Sequence, residues 1–323
     1  MTPKILHIAG DASFRKFYRI ILKKEKRIII FAKREKYKNL LVYSTINNFL
    51  KSRKILTPKL YSQNYKKGLM VIEDFGEVSY RDILLTQKKK LPTYKRLVDL
   101  LIKIQKIKPK RKIKFLKKSY LMKKYSIKNL KKESDLFFDW YLPFFYNKKK
   151  ILNLKKKMNK ILISLYKKLN FPNTYFVHRD FHAENLMKTK KGIGVIDTQD
   201  ALIGNPSYDL VSLIDDVRIK TSQNLKQKIF NYYLKENTKF KKINKEEFED
   251  DFNVLSVQRS LKIIGIFARL LKRDKKSKYF KMIPYTWKIL ESRVNSKIFA
   301  DLKNIIDSNI KNNIRKKILY KWK

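Results

Sequence analysis

Cysteine is absent from the 323 residues, which excludes a disulfide framework, a thiolate metal or iron–sulfur site and a thiol nucleophile. Histidine is nearly absent: His7, His178 and His182 are too few for a multi-histidine metal centre. Acidic residues are scarce, 28 against 79 Lys and Arg. Long apolar runs are missing as well. Stretches such as 28–32 fall far short of the ~18 residues a membrane helix needs, and the first eleven residues carry no signal peptide. Neither end shows a lipidation box. The chain therefore reads as cytoplasmic, without membrane insertion.

What is present starts with apolar bulk: 43% hydrophobic and 13% aromatic residues can bury a sizeable core despite the charge. The net charge of +51 is the usual footprint of a phosphate-rich partner. Its detail argues otherwise. Of the 79 basic residues only 15 are arginine, the side chain suited to bidentate phosphate and base contacts. The lysines are spread along the whole chain, and an excess of Lys, Ile, Asn, Phe and Tyr follows from an A/T-rich coding bias alone. Nucleic acid is not the expected partner, and a monomer is the expectation.

Along the chain, 5–8, 14–22 and 27–33 read as strands and 39–50 as a helix. Residues 59–62 and 68–72 read as an antiparallel pair, and Glu73-Asp74-Phe75-Gly76 as a hinge. Helical spacing takes over at 94–104 and 152–169. Eight basic residues in thirteen, 106–118, together with Pro109, suggest a solvated loop. Strands first and helices later give an α+β, two-lobed pattern: a β-rich N-terminal lobe over 1–75 and a mainly helical lobe over 76–323.

The chemistry concentrates in His178-Arg179-Asp180-Phe181-His182-Ala183-Glu184-Asn185-Leu186 and Gly194-Val195-Ile196-Asp197. Strands expected at 174–177 and 193–196 would form a tight hairpin. It would gather Asp180, Asn185 and Asp197: hard oxygen ligands for magnesium bound with phosphate, and a carboxylate to orient a hydroxyl.

This segment, continued by Ile196-Asp197-Thr198-Gln199-Asp200 to Asp209, resembles the aminoglycoside-phosphotransferase branch of the protein-kinase-like fold. Residues 10–15, 133–142 and 258–270 narrow the resemblance to the bacterial anomeric kinases of N-acetylmuramate and N-acetylglucosamine, which serve peptidoglycan recycling. It runs from Gly10 to about Pro284. The resemblance implies ATP and Mg2+ as cofactors, a small-molecule sugar acceptor, Asp180 as catalytic carboxylate, and Asn185 and Asp197 as magnesium ligands. It implies a turn at 10–15 over the ATP phosphates, with Ser13, Arg15 and Lys33 as phosphate contacts. Glu73 to Phe75 would meet adenine through backbone, and Glu133, Trp140, His182 and Arg259 would face the acceptor. His178 would brace the catalytic loop, and Asp209 would cap a helix or fix that loop. Thr198 departs from the aromatic that usually follows the metal aspartate. Choline, homoserine and aminoglycosides stay open as acceptors, the last disfavoured by the shortage of carboxylates. A non-catalytic basic scaffold stays open as well.

Overall fold

The computed structural model describes residues 4–8, 15–23, 25–32, 37–238 and 243–318. Strands β1 (Lys4–Ile8), β2 (Lys16–Ile21) and β3 (Lys26–Phe31) precede helix α1 (Tyr37–Lys51), and β4 (Leu60–Asn64) and β5 (Leu69–Glu73) follow it. They build one antiparallel sheet in the order β1-β2-β3-β5-β4. Period-two alternation sends Ile30, Met70 and Ile72 to one face, where they pack with Leu40 and Tyr43 of α1. Gly68 closes the β4–β5 connection at φ +70, with its carbonyl accepting from the Ala32 amide at 2.8 Å. A Cβ there would lie 1.9 Å from the Ala32 carbonyl oxygen, so only glycine fits.

Helices α2 (Tyr80–Thr86) and α3 (Leu91–Gln105) come next, the first held by a Ser79–Asp82 capping box. The basic run expected to be a loop instead supplies a hairpin of β6 (Lys112–Phe115) and β7 (Lys118–Leu121). Lys112-Ile113-Lys114-Phe115 alternates with period two: Ile113 is buried while both lysines stay in water. The charge count masked a strand pattern.

The remaining elements are α4 (Ile127–Leu136), a π-helical turn (Phe137–Tyr141), α5 (Lys148–Lys167), β8 (Tyr175–Val177), β9 (Leu186–Thr189), β10 (Gly192–Val195), β11 (Leu202–Gly204), α6 (Ser207–Ile214), α7 (Gln223–Thr238), α8 (Lys245–Asp274), α9 (Ile283–Val294), α10 (Ala300–Asn309) and α11 (Asn312–Arg315). Two compact units result, 1–123 with 175–203 and 124–174 with 204–323. These bounds differ from the division expected after residue 75. Helices α2 and α3 and the segment from His178 to Asp197 group with the five-stranded sheet. Backbone hydrogen bonds show why: the Val195 amide donates to the Leu56 carbonyl at 2.8 Å and that of Lys188 to the Val78 carbonyl at 2.9 Å.

The second unit is organised by α8, which packs against α4, α6 and α9. Gly265 of α8 permits the closest approach, since a Cβ there would sit 2.3 Å from the Leu136 carbonyl carbon. Phe137, Tyr141 and Trp287 form a buried aromatic cluster, and the Trp287 indole N–H donates to the Tyr141 hydroxyl at 3.1 Å. Asp215 is buried in this unit. It accepts from Lys226 Nζ at 2.7 Å, from Arg293 at 3.0 and 3.1 Å, and from the Ser256 hydroxyl at 2.6 Å. Among the described residues no helix is long and apolar enough to cross a membrane.

Candidate active site

The expected hairpin partners are not the observed ones. β9 pairs with β10, from Leu186↔Val195 to Thr189↔Gly192, while β8 pairs with β11. The tight turn is therefore Lys190-Lys191, followed by Gly192 at φ +122 at the start of β10, a signal weaker than the Asn-Gly or Asp-Gly that marks most such turns. Asp180 and Asn185 lie on the loop that enters this hairpin, and Asp197 lies just beyond its exit.

Two non-glycine residues here have left-handed backbones, Arg179 at φ +75 and Asp197 at φ +61. Such conformations persist only where the surroundings over-determine them. His178 supplies part of that constraint. Fully buried, it donates from Nε2 to the Ile196 carbonyl at 2.9 Å and accepts at Nδ1 from the Asp180 amide at 3.3 Å. The ring thus uses one nitrogen as donor and the other as acceptor. Asn185 adds a second tie: its carbonyl accepts from the Ile196 amide at 3.1 Å, and its Nδ2 donates to the Asp180 carbonyl at 3.0 Å. The same Nδ2 faces Nε2 of the buried His182 at 3.4 Å, which leaves Oδ1 as the acceptor of Asn185.

Asp197 accepts from Gln199 Nε2 at 2.8 Å, and Arg15 Nη1 stands 3.6 Å from the same Oδ1. Burial holds the Asp197 carboxyl above its ordinary pKa; the Arg15 guanidinium opposes that shift and the charge of nearby Asp180 adds to it. Behind the loop, the buried Thr198 hydroxyl donates to Asn47 Oδ1 of α1 at 2.7 Å. Tyr43, one turn earlier on α1, lies close to the Asn47 side chain and the Asp197 backbone, and burial pushes its hydroxyl up to about 12. Neither Asn47 nor Tyr43 was among the expected site residues. An asparagine on the otherwise apolar face of 40–50 was the available signal.

Among the described residues no three His, Asp or Glu side chains gather into a group that could hold a metal by themselves. Two aspartates and an asparagine amide are hard oxygen donors that suit a cation sharing its coordination with phosphate oxygens. The under-neutralised Asp197 fits the same demand.

Of the expected nucleotide contacts, Ser13 and Lys33 lie outside the described residues, and Arg15 stands beside Asp197 as above. Glu73 ends β5, where its amide donates to the Lys59 carbonyl at 2.8 Å and its carboxylate meets Lys191 Nζ at 3.3 Å. The Phe75 ring rests on Gly194 of β10, where a Cβ would lie 2.5 Å from it. Asp74 between them is ion-paired to Arg19 of β2.

The second unit holds the remaining expected contacts. Glu133 of α4 accepts from the Tyr125 hydroxyl, from Gln258 Nε2 at 3.2 Å, and pairs with Lys262 Nζ at 3.3 Å. Arg259 is buried, with its guanidinium 5.8 Å above the Tyr208 ring. Trp140 is half-buried in the π-helical turn, and the buried core indole is Trp287 instead. Asp209 is fully buried within the first turn of α6; the cap is Pro206, so the expected capping role does not hold.

The profile of the phosphotransferase enzyme family matches residues 4–242, and the chain belongs to that family. Solved structures agree on the fold. The ADP-bound aminoglycoside phosphotransferase APH(2'')-Ib superposes with a TM-score of 0.60 at 13% identity, covering 92% of this chain and 94% of that one. A choline kinase from Streptococcus pneumoniae gives 0.60 at 14%, covering 90% and 93%. Among curated proteins, the N-acetylmuramate/N-acetylglucosamine kinase of Pseudomonas aeruginosa is 26% identical over 294 residues, 90% of this chain and 84% of the relative. The protein of the same name from Caulobacter vibrioides is 27% identical over 264 residues, covering 80% and 72%.

Proposed function

We propose that this protein is an ATP- and Mg2+-dependent kinase that phosphorylates the anomeric hydroxyl of N-acetylmuramate or N-acetylglucosamine, yielding the sugar 1-phosphate for peptidoglycan recycling. The observation that carries the reading is the tie of Asp180, Asn185 and Asp197 through the backbone of Ile196 and the ring of His178. Curated relatives that bear this activity in their names support the choice of acceptor.

In this reading Asp180 orients the acceptor hydroxyl and takes its proton as the phosphoryl group leaves ATP. An anomeric hydroxyl is more acidic than an ordinary alcohol, so Asp180 needs little basicity. Asn185 Oδ1 and the Asp197 carboxylate would hold magnesium, whose charge neutralises the phosphates. Arg15 would offset the charge on the transferring phosphoryl group, with Ser13 and Lys33 as further phosphate contacts. The backbone of 73–75 would seat adenine, and Glu133, Trp140, His182 and Arg259 would bind the acceptor.

The test is an ATP-consumption screen over N-acetylmuramate, N-acetylglucosamine, choline, homoserine and an aminoglycoside, with the phosphate position read by phosphorus NMR. Phosphate on C1 of an amino sugar is the expected result; turnover of choline, homoserine or the aminoglycoside alone would overturn the acceptor. Asp180→Asn should fold normally and turn over about 10²–10⁴-fold more slowly. Unchanged turnover would remove Asp180 from the reaction.

A further inference from the structure

The strained metal-loop aspartate is held from behind by a helix that carries no carboxylate. Helix α1 reads Tyr-Lys-Asn-Leu-Leu-Val-Tyr-Ser-Thr-Ile-Asn-Asn-Phe-Leu-Lys, without one acidic residue. Two of its buried polar side chains, Tyr43 and Asn47, reach the loop after β10. Asn47 Oδ1 receives the Thr198 hydroxyl at 2.7 Å, with both side chains buried. Tyr43, also buried, lies close to both the Asn47 side chain and the Asp197 backbone. Asn47 is itself fixed, since the Thr57 hydroxyl donates to its carbonyl at 2.9 Å. These contacts grip the chain at Asp197, φ +61, and at the residue after it. Left alone, an L-residue would relax out of that region and swing its carboxylate with it.

We infer that Tyr43, Asn47 and Thr198 are positioning residues for the metal carboxylate: a neutral hydrogen-bonded strut from α1 that sets where Asp197 presents its oxygens. The inference rests on the proposed role of Asp197 as a magnesium ligand. Neutral groups suit the place. A charged partner behind the loop would compete for the carboxylate, whereas the neutral groups of α1 add no charge beside it. Partners of a ligand's own support are worth about 10–100-fold in metal affinity where they have been removed elsewhere.

The experiment measures Mn2+ binding by electron paramagnetic resonance in the presence of a non-hydrolysable ATP analogue, with no turnover. It compares wild type, Asp197→Asn, Thr198→Val, Thr198→Ser and Tyr43→Phe, each checked for folding by circular dichroism. Asp197→Asn should abolish tight Mn2+ binding. Thr198→Val should weaken it by about 10–100-fold, Tyr43→Phe in the same direction, and Thr198→Ser should restore wild-type affinity. Folded Thr198→Val and Tyr43→Phe proteins that bind Mn2+ like wild type would overturn the inference. So would a Thr198→Ser as weak as Thr198→Val, which would reduce the site to packing. If Thr198→Val does not fold, Tyr43→Phe decides alone. A wild type without Mn2+ binding, or an unaffected Asp197→Asn, would remove the metal role itself and the inference with it.

Discussion

Two aspartates, Asp215 and Asp197, one in each compact unit, show how differently a fold can neutralise a carboxylate. Asp215 is packed inside the helical unit with Lys226 and Arg293 within 3.1 Å and a serine hydroxyl besides. Burial alone would raise its pKa, yet Arg293 and Lys226 together drive it well below the ordinary carboxylate range. Asp197 sits in the catalytic segment with a single guanidinium at 3.6 Å and the charge of Asp180 close by, and its pKa goes up. One charge is answered by the protein; the other is left under-neutralised. Under-neutralised carboxylates held on strained backbone mark functional sites for this reason.

The contrast is broken most severely by neutralising the satisfied member. Asp215→Asn leaves Lys226 and Arg293 buried without a counter-charge, and a loss of about 3–5 kcal/mol of unfolding free energy is expected in urea titration. Asp197→Asn should cost nothing, or stabilise slightly, because it removes a partly desolvated charge and keeps the polar contact to Gln199. Equal destabilisation by the two substitutions would dissolve the distinction. Next in size are the two close-approach glycines. Gly265→Ala presses a methyl against the Leu136 backbone, which cannot step aside, and should cost about 1–3 kcal/mol. Gly194→Ala meets side chains alone, the Phe75 ring and more loosely the Thr189 methyl, which can shift, so its stability loss should be smaller. Its effect should instead appear as weaker nucleotide binding by calorimetry, if residues 73–75 seat adenine.

The legible parts of this molecule are those where residue types and spacing carry the chemistry. Asp180, Asn185 and Asp197 stand out in the sequence because the proposed phosphoryl transfer would need hard oxygens in a short stretch bounded by apolar strands. The five-stranded sheet is readable from β-branched runs separated by turns. Pairing was readable for 59–62 with 68–72, which do join antiparallel, but not for the strands around the candidate site. Nothing local in Tyr175-Phe176-Val177 says that it joins 202–204 rather than 193–196, because a three-residue strand has too few side chains to specify a register. The β6–β7 hairpin was hidden by lysines that a strand tolerates on its wet face. Asn47 was invisible for a different cause. A single buried amide acquires meaning only from Thr198, 151 positions away, whose hydroxyl it receives.

The smallest effect is in the pH dependence, where the two aspartates should act with opposite sign. Asp215 has a folded-state pKa below its unfolded value. Its contribution is therefore complete above the unfolded pKa, about 4, and fades as pH falls toward the depressed folded value. Asp197 binds its proton more tightly when folded, so its charge costs stability as pH rises from about 4 through its elevated pKa. Because the Asp197 side chain is 42% exposed, solvent screens much of that cost. Urea midpoints followed from about pH 3 to pH 6 should show the gap between wild type and Asp215→Asn narrowing on the acid side. The gap between Asp197→Asn and wild type should widen slightly toward pH 6, and saturating Mg2+ with an ATP analogue should reverse it, since the cation supplies the missing counter-charge. A wild type that loses nothing relative to Asp197→Asn as pH rises, with or without the metal, would mean that the protein already neutralises Asp197 as fully as it does Asp215.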